Sequence, residues 1–340
     1  KHLRRLKVDA MAVDSSLNDV PRYEKIDEVP VIRVPIPELR NMPKKRILRE
    51  YVFGLRVSKI LRDLDIDIIH ANTAWAGFAL TLKLKDKPIV YTCHNPLWPE
   101  ENVHESEWAV RLVEGYAMRR SKAVIALNET MMSSIIEKAH VDPRKVFIVP
   151  NGVDTEFFKP GIPADDVMMK YGLEGRRIIL FVGRVTYTKG VHLLIKAFRE
   201  LISEYGDLKL VVAGPLTSHF DDEKISRYAE TLMNYAEKTL PKDSYVFTGP
   251  IDRETLRKLY SIAYVCVLPS YAEAFGMVLL EAMSSGCPVI GSKAGGIINV
   301  IEDGINGFTF RKGDVEDLEE KLNLLLDQNL QIKLSKEASK

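Results

Sequence analysis

"RIILFVGRVTYTKG", residues 177–190, decides how this chain folds. After Arg177 the run to Val182 is apolar without alternation, the pattern of a parallel strand covered on both faces. Gly183 and Gly190 bracket a short turn, and helical spacing begins at once and continues over 190–205. A buried strand that turns straight into a helix is half of a βαβ unit. The same pattern recurs along the chain. Strand-like runs fall at 67–72, 88–94, 123–128 and 146–151, and again at 177–184, 209–215, 245–251, 264–270 and 288–296. Helical stretches are expected at 46–63, 106–120, 129–140, 190–205, 222–240, 253–262, 276–286 and 314–326. The alternation occurs twice, with an irregular break at "PNGVDTEFFKPG" (150–161), where Pro150, Gly152, Pro160 and Gly161 interrupt it. The expected fold class is therefore α/β, with two doubly wound domains at residues 1–153 and 154–340. Two such sheets side by side predict a cleft at the C-terminal ends of their strands, where ligands of these folds bind.

Composition agrees with a two-domain globular chain and excludes several alternatives. The 340 residues carry 48 Lys+Arg against 47 Asp+Glu, so no global charge draws the chain to nucleic acid. The basic stretch "RNMPKKRILRE" (40–50) reads as a solvated helix start, with contact to an anionic membrane surface as the alternative. No apolar run is long enough to span a bilayer and no secretory leader is visible, so a cytoplasmic protein is expected, with the inner membrane face as a second location. Cys93, Cys266 and Cys287 sit far apart in apolar surroundings and read as buried reduced thiols; no zinc spacing is present. "DLDID" (63–67) contains a D-x-D but precedes a strand and reads as a turn.

Two stretches carry chemistry. The turn of residues 183–190 is neither G-x-G-x-x-G nor G-x-x-x-x-G-K-S/T. It nevertheless puts Gly183, Arg184, Lys189 and Gly190 at the junction of a strand and a helix. Arginine supplies a planar fork for phosphate, lysine a point charge, and a helix start favours anions. The plain alternative is a surface turn with two solvated cations. The second stretch is "SYAEAFGMVLLEAMSSG" (270–286), a loop and an apolar helix with Glu281 inside it and Glu273 eight residues upstream. A carboxylate inside an apolar helix needs a partner. Either Glu281 bonds a backbone N–H or an arginine, or it accepts hydrogen bonds from a ligand's hydroxyls. The N–H groups of Ala274, Phe275, Gly276 and Met277 open that helix. "SKAGGIINVI" (292–301) adds Gly-Gly at what reads as another helix start. Two helix starts with an Arg and a Lys describe a diphosphate site that uses no metal.

At these residues the chain closely resembles the family 4 glycosyltransferases, retaining enzymes of the GT-B fold with two Rossmann-like domains. The resemblance rests on "VGRVTYTKG", the E-x7-E pair Glu273/Glu281, "DIIHAN", "YTCHN", "VPNGVDTEFF", "VVAGP" and "GGIINVIEDGINGFTF", and it spans nearly the whole chain. It implies a nucleotide-diphosphate sugar as co-substrate, with no further cofactor. UDP-sugars stand first, UDP-glucose ahead of the rest, with GDP and ADP behind. By the resemblance, Glu273 holds the donor sugar's hydroxyls beside the backbone of Ala274, Phe275, Gly276 and Met277. Glu281 takes the ribose, and Arg184 and Lys189, with Gly183, clamp the diphosphate. Thr248, Gly249, Pro250 and Ile251 flank the base. His94 faces the cleft near the sugar, with Asn72 and Asn95 on the acceptor side. The catalytic set it implies is Glu273, His94, Arg184 and Lys189, with no metal. The two domains should close over the donor. The plain alternative for His94 is a hydrogen-bonded histidine at a strand end.

The resemblance also implies a first strand and glycine-rich loop ahead of residue 1 and a longer closing helix, so the chain reads as cut at both ends. Donor binding by the second domain is expected to be independent of those parts. "HANTAWAG" and "YTCHNPLWPEE" faintly resemble the glycogen-synthase branch, making α-glucan synthesis the runner-up. A non-catalytic nucleotide-sugar-binding protein and an epimerase of the same fold are further alternatives; the E-x7-E pair argues against the epimerase. The acceptor (glycan, lipid or small molecule) and the oligomeric state are open.

Overall fold

The computed structural model describes residues 8–16, 22–26, 28–36, 45–94, 107–216 and 223–338. The chain divides into two compact units, Lys1–Val149 and Pro150–Lys340.

The first unit opens with strands β1 (Ala12–Ser16), β2 (Tyr23–Ile26) and β3 (Val29–Pro35). They form a separate sheet in the order β1-β3-β2. β3 runs parallel to β1 and antiparallel to β2, with Ile32 opposite both Val13 and Tyr23. Arg33 ties the sheet together, donating to Glu24 at 2.8 Å and to Asp14 at 2.5 Å. The rest alternates: α1 (Lys45–Arg62), β4 (Ile69–Ala71), α2 (Ala74–Lys83), β5 (Ile89–Thr92), α3 (Glu107–Arg120), β6 (Ala123–Ala126), α4 (Glu129–Ala139) and β7 (Val146–Ile148). Strands β4 to β7 form an all-parallel sheet in chain order. Asn128 caps α4 by accepting the Met131 N–H at 2.8 Å. Gly54 lets α1 and α2 cross closely, since a Cβ there would lie 2.7 Å from Ala79 Cβ.

Helix α2 was not expected. Its sequence, "AWAGFALTLK", is apolar nearly all round, so no 3.6-residue stripe marks it, and it is wedged against α1 and α3. The β2–β3 hairpin was missed too: β2 is four residues of mixed polarity, and Pro30 and Pro35 in β3 argue against a strand.

The second unit comprises α5 (Asp165–Tyr171), β8 (Arg177–Val182), α6 (Val191–Ile202), β9 (Leu208–Ala213), α7 (Glu223–Thr239), β10 (Tyr245–Gly249), α8 (Arg253–Ile262), β11 (Val265–Leu268), α9 (Met277–Ser284), β12 (Val289–Ser292), β13 (Gly307–Phe310), α10 (Val315–Leu325) and α11 (Gln328–Ala338). Its six parallel strands run β10-β9-β8-β11-β12-β13. The residues of β9, β11 and β12 are all buried, which explains their largely apolar runs; Lys209 in β9 and Ser292 in β12 are the polar exceptions. Asp252 and Asp314 cap α8 and α10 through the Thr255 and Asp317 N–H groups.

From β8 the chain builds outward through β9 to β10, then returns to the other side of β8 and builds through β11 to β13. The reversal makes the C-terminal ends of β8 and β11 a topological switch point. The observed strands stop earlier than expected: β8 at Val182, β11 at Leu268, β12 at Ser292. Each is followed by glycine or proline within two or three residues, and those leftover residues form the loops that matter below. The Gly-Gly segment after β12 starts a helix, but not an α-helix. It forms a five-residue 3-10 turn, Gly295–Asn299. The Gly296 N–H donates to the Glu273 carbonyl at 2.8 Å, so it is already used.

Candidate donor site at the switch point

Three glycines bring the loops together. Gly214 has φ +138°, and a Cβ on it would lie 2.1 Å from the Gly183 carbonyl oxygen. Gly190 has φ +67°, and its Cβ would meet the Pro269 carbonyl at 1.9 Å. Gly295, at φ +51°, would place a Cβ 2.0 Å from the Glu273 carbonyl. No side chain fits at any of the three. The backbone stitches the same loops: Gly183 N–H to Ala213 O at 2.9 Å, Val185 N–H to Pro215 O at 3.0 Å, and Gly214 N–H to Gly249 O at 3.0 Å. Gly249, Pro250 and Ile251 thus end β10 on the same rim as Gly183 and Arg184. Thr248 turns its hydroxyl onto the Gly249 carbonyl at 2.8 Å.

Across the switch point the loop after β8 and the loop after β11 are joined three times. The Tyr271 N–H donates to the Thr188 carbonyl at 2.8 Å. Lys189 Nζ donates to Glu273 Oε2 at 2.5 Å, with the two side chains 22% and 17% exposed. The rings of Tyr187 and Tyr271 stack at 5.3 Å and 6°. His192, on the first turn of α6, stacks on Tyr187 at 5.0 Å. Its ring nitrogens bond the Tyr228 hydroxyl at 2.7 Å and the Tyr271 hydroxyl at 3.2 Å. Burial, and then the Lys196 charge, hold His192 below the ordinary histidine pKa. Arg184 beside them is exposed and makes no ion pair among the described residues. Lys189 and Glu273, which the sequence assigned to different parts of a ligand, meet each other and neutralise one another in this structure, while Arg184 is an uncommitted cation. The arrangement offers one open cation, one lysine exchangeable between a carboxylate and an anion, and the start of α9.

Gly276, at φ +91°, leads into α9, with Phe275 and Gly276 buried and Ala274 and Met277 half-buried. On that helix Glu281 has a partner that was not foreseen. Among the described residues, neither backbone nor arginine bonds it. The Tyr260 hydroxyl of α8 donates to its Oε2 at 3.0 Å. Tyr260 is fully buried, and its ring meets Phe158 edge-on at 5.8 Å. Burial pushes the Glu281 carboxyl above its ordinary pKa; the Tyr260 hydrogen bond and the Arg253 charge oppose the push.

In the first unit, His94 Nε2 lies 3.0 Å from Asn72 Oδ1, at the ends of β5 and β4. The pairing matches the plain reading of a hydrogen-bonded strand-end histidine and leaves the ring exposed. Burial, and then His70, lower the His94 pKa. His70 was not singled out from sequence; its ring bonds the Thr92 hydroxyl at 2.6 Å. Asn95 lies outside the described residues, as do residues 40–44 of the basic stretch 40–50. Asp63, Asp65 and Asp67 sit between α1 and β4, as expected for a turn. Among the described residues, no three His, Cys, Asp or Glu side chains gather where they could hold a metal ion, and no helix is long and apolar enough to cross a membrane.

Two family models account for the chain. Glycosyltransferase Family 4 matches residues 1–157, and Glycosyl transferases group 1 matches residues 165–340. The chain belongs to the group 1 glycosyl transferases and is a glycosyltransferase. It is 28% identical over 309 residues to an uncharacterized glycosyltransferase of Methanocaldococcus jannaschii, covering 85% of this chain and 73% of that protein. It is 31% identical over 272 residues to the α-maltose-1-phosphate synthase of Mycolicibacterium smegmatis, covering 75% of this chain and 67% of that enzyme. The crystal structure of Anabaena HepE in complex with UDP and glucose shares the fold, with a TM-score of 0.77 at 22% identity, over 92% of this chain and 81% of HepE. The GT-B class expected from the sequence is thereby the fold of this protein.

Proposed function

We propose that this chain transfers a hexose from a nucleoside-diphosphate sugar to a glycan, lipid or small-molecule acceptor, with retention of anomeric configuration and without a metal. A UDP-sugar is the donor, UDP-glucose first, and the enzyme works in the cytoplasm, with the inner membrane face as a further location. The observation that carries this reading is the Lys189–Glu273 pair across the switch point, with exposed Arg184 beside it. Cleaving a glycosyl–phosphate bond builds negative charge on the leaving diphosphate and positive charge on the sugar. Arg184 and Lys189 oppose the first, and Glu273, released from Lys189 when the diphosphate enters, meets the sugar's hydroxyls. Glu281 accepts from the ribose. Gly183, the 249–251 segment and the backbone of 274–277 complete the donor side, and Asn72, His94 and Asn95 face the acceptor. In this scheme the leaving phosphate takes the acceptor's proton on the same face. The two glutamates do not act as a glycosidase pair, because one is committed to the nucleotide.

UDP in HepE supports a uridine nucleotide here. A second reading, an α-glucan-building enzyme, is kept because the mycobacterial relative is named for an α-linked maltose product. A thermal-shift panel of UDP-, GDP- and ADP-sugars on the wild type and Glu281→Ala tests the donor assignment. A ligand at about 100 times its Kd adds roughly 2.7 kcal/mol of stability. One nucleotide sugar should raise the midpoint of the wild type and not of the variant; an intact wild type that responds to none would sink the reading.

A further inference from the structure

Among the residues assigned to the donor, Glu281 is a half-buried carboxylate with only one of its oxygens engaged. Its Oε2 accepts from Tyr260 at 3.0 Å, and no hydrogen bond or ion pair reaches its Oε1 among the described residues. A half-buried carboxylate with one oxygen held and the other open is poised for a ligand. Tyr260 itself cannot touch a ligand, being fully buried between Phe158 and α9. Its hydroxyl adds nothing to apolar packing, and a phenol in the core is tolerated only with a partner. Its hydroxyl's one hydrogen-bond partner among the described residues is Glu281. The groups around the carboxylate are Tyr260 and Arg253 of α8, Cys266 of β11 and, beyond Tyr260, Cys287. Both thiols are buried and neutral, held there by the cost of charging them in the core. Arg253 is engaged over the rings of Phe157 and Phe158 at 4.7 and 5.6 Å, so it contributes field without a hydrogen bond to Glu281.

We propose that Tyr260 is a positioning residue for nucleotide recognition: by pinning Oε2 it fixes the Glu281 carboxylate so that Oε1 faces the vicinal diol of the donor's ribose. The inference rests on the donor-site reading above. A phenol donor favours the ionised carboxylate, which accepts both hydroxyls of a diol, over the acid, which presents a proton to them. Removing the donor therefore does two things. It frees the carboxylate to rotate, and it raises the pH below which the site loses its acceptor.

The test measures affinity and its pH dependence for whichever of UDP, GDP and ADP gives the largest thermal shift, on the wild type, Tyr260→Phe, Glu281→Gln and the double variant. Tyr260→Phe keeps the ring and should weaken the nucleotide about tenfold, the loss typical for a hydrogen bond to a charged group. Its low-pH midpoint for binding should move up. In the Glu281→Gln background the same change should add little, because coupled residues are non-additive. Tyr260→Leu separates packing from hydrogen bonding. It loses the ring as well, so a merely structural role makes it much worse than Tyr260→Phe and shifts no pH midpoint, whereas a positioning role gives both variants the same upward shift. If Glu281→Gln binds like the wild type, the donor-site reading falls and takes this inference with it. If Glu281→Gln is weak while Tyr260→Phe is unchanged, or the two losses simply add, the reading stands and the positioning role is refuted.

Discussion

At the residue scale, the two cations of the donor loop should separate cleanly. Arg184 is exposed and makes no ion pair among the described residues, so Arg184→Ala should leave the thermal midpoint within the small range of surface changes, while kcat falls by about 10²–10³ if it meets the leaving diphosphate. Lys189→Ala should differ in kind. It strands the Glu273 carboxylate, which is only 17% exposed, and should cost stability on the order of 1–3 kcal/mol besides activity. Differential scanning calorimetry with a donor-hydrolysis assay reads both effects; equal destabilisation by the two variants would contradict the geometry. Glu281 supplies the pH prediction. Its carboxyl is raised above 4.5 by burial, so the folded state holds a proton that the unfolded chain has lost. Its contribution to stability is present below about pH 4.5 and lost as pH rises through the raised value. Glu281→Gln should accordingly be at least as stable as the wild type at neutral pH without ligand, and should lose the ligand's stabilisation.

At the scale of elements, the loops after β8, β11 and β12 behave as one device. Gly295→Ala would drive a methyl into the Glu273 carbonyl at 2.0 Å and force an unfavourable φ. The expected outcome is a loss of roughly 1–3 kcal/mol together with the nucleotide-induced shift, since the strained turn carries Glu273 with it. His192→Phe keeps the stack on Tyr187 but removes both tyrosine hydrogen bonds. Because His192 titrates below its ordinary 6.5, it favours the neutral ring in the fold. The stability it contributes is complete above about pH 6.5 and is lost as pH falls toward its lowered value. Urea titrations at pH 5 and pH 7.5 should show the difference between wild type and His192→Phe shrinking at the lower pH; a constant difference would count against the histidine's role.

At the scale of the molecule, the second unit has its own six-stranded sheet and one continuous core. Every donor-side group assigned above lies on it. Residues 150–340 expressed alone should unfold cooperatively and keep the nucleotide-induced shift, while transferring no sugar. A fragment that folds but ignores nucleotide would mean that the first unit supplies donor contacts.

Much of this was legible in the sequence, for a local reason. Parallel strands buried on both faces are largely apolar, and strand-to-helix turns favour glycine, so the alternation and the positions of Gly183, Gly190, Glu273 and Glu281 could be read from residues 177–190 and 270–286 alone. Helix α2 escaped because a helix apolar nearly all round has no stripe. What only the tertiary structure decided is who meets whom. Lys189 and Glu273 are 84 residues apart, and Tyr260 and Glu281 are 21 apart on different helices. Their pairing follows from the order in which six strands stack, and no spacing along the chain encodes that order. Nothing in "LRKLYSIAY" (256–264) singles out Tyr260, because a hydrogen bond formed through space leaves no periodicity in the residues that make it.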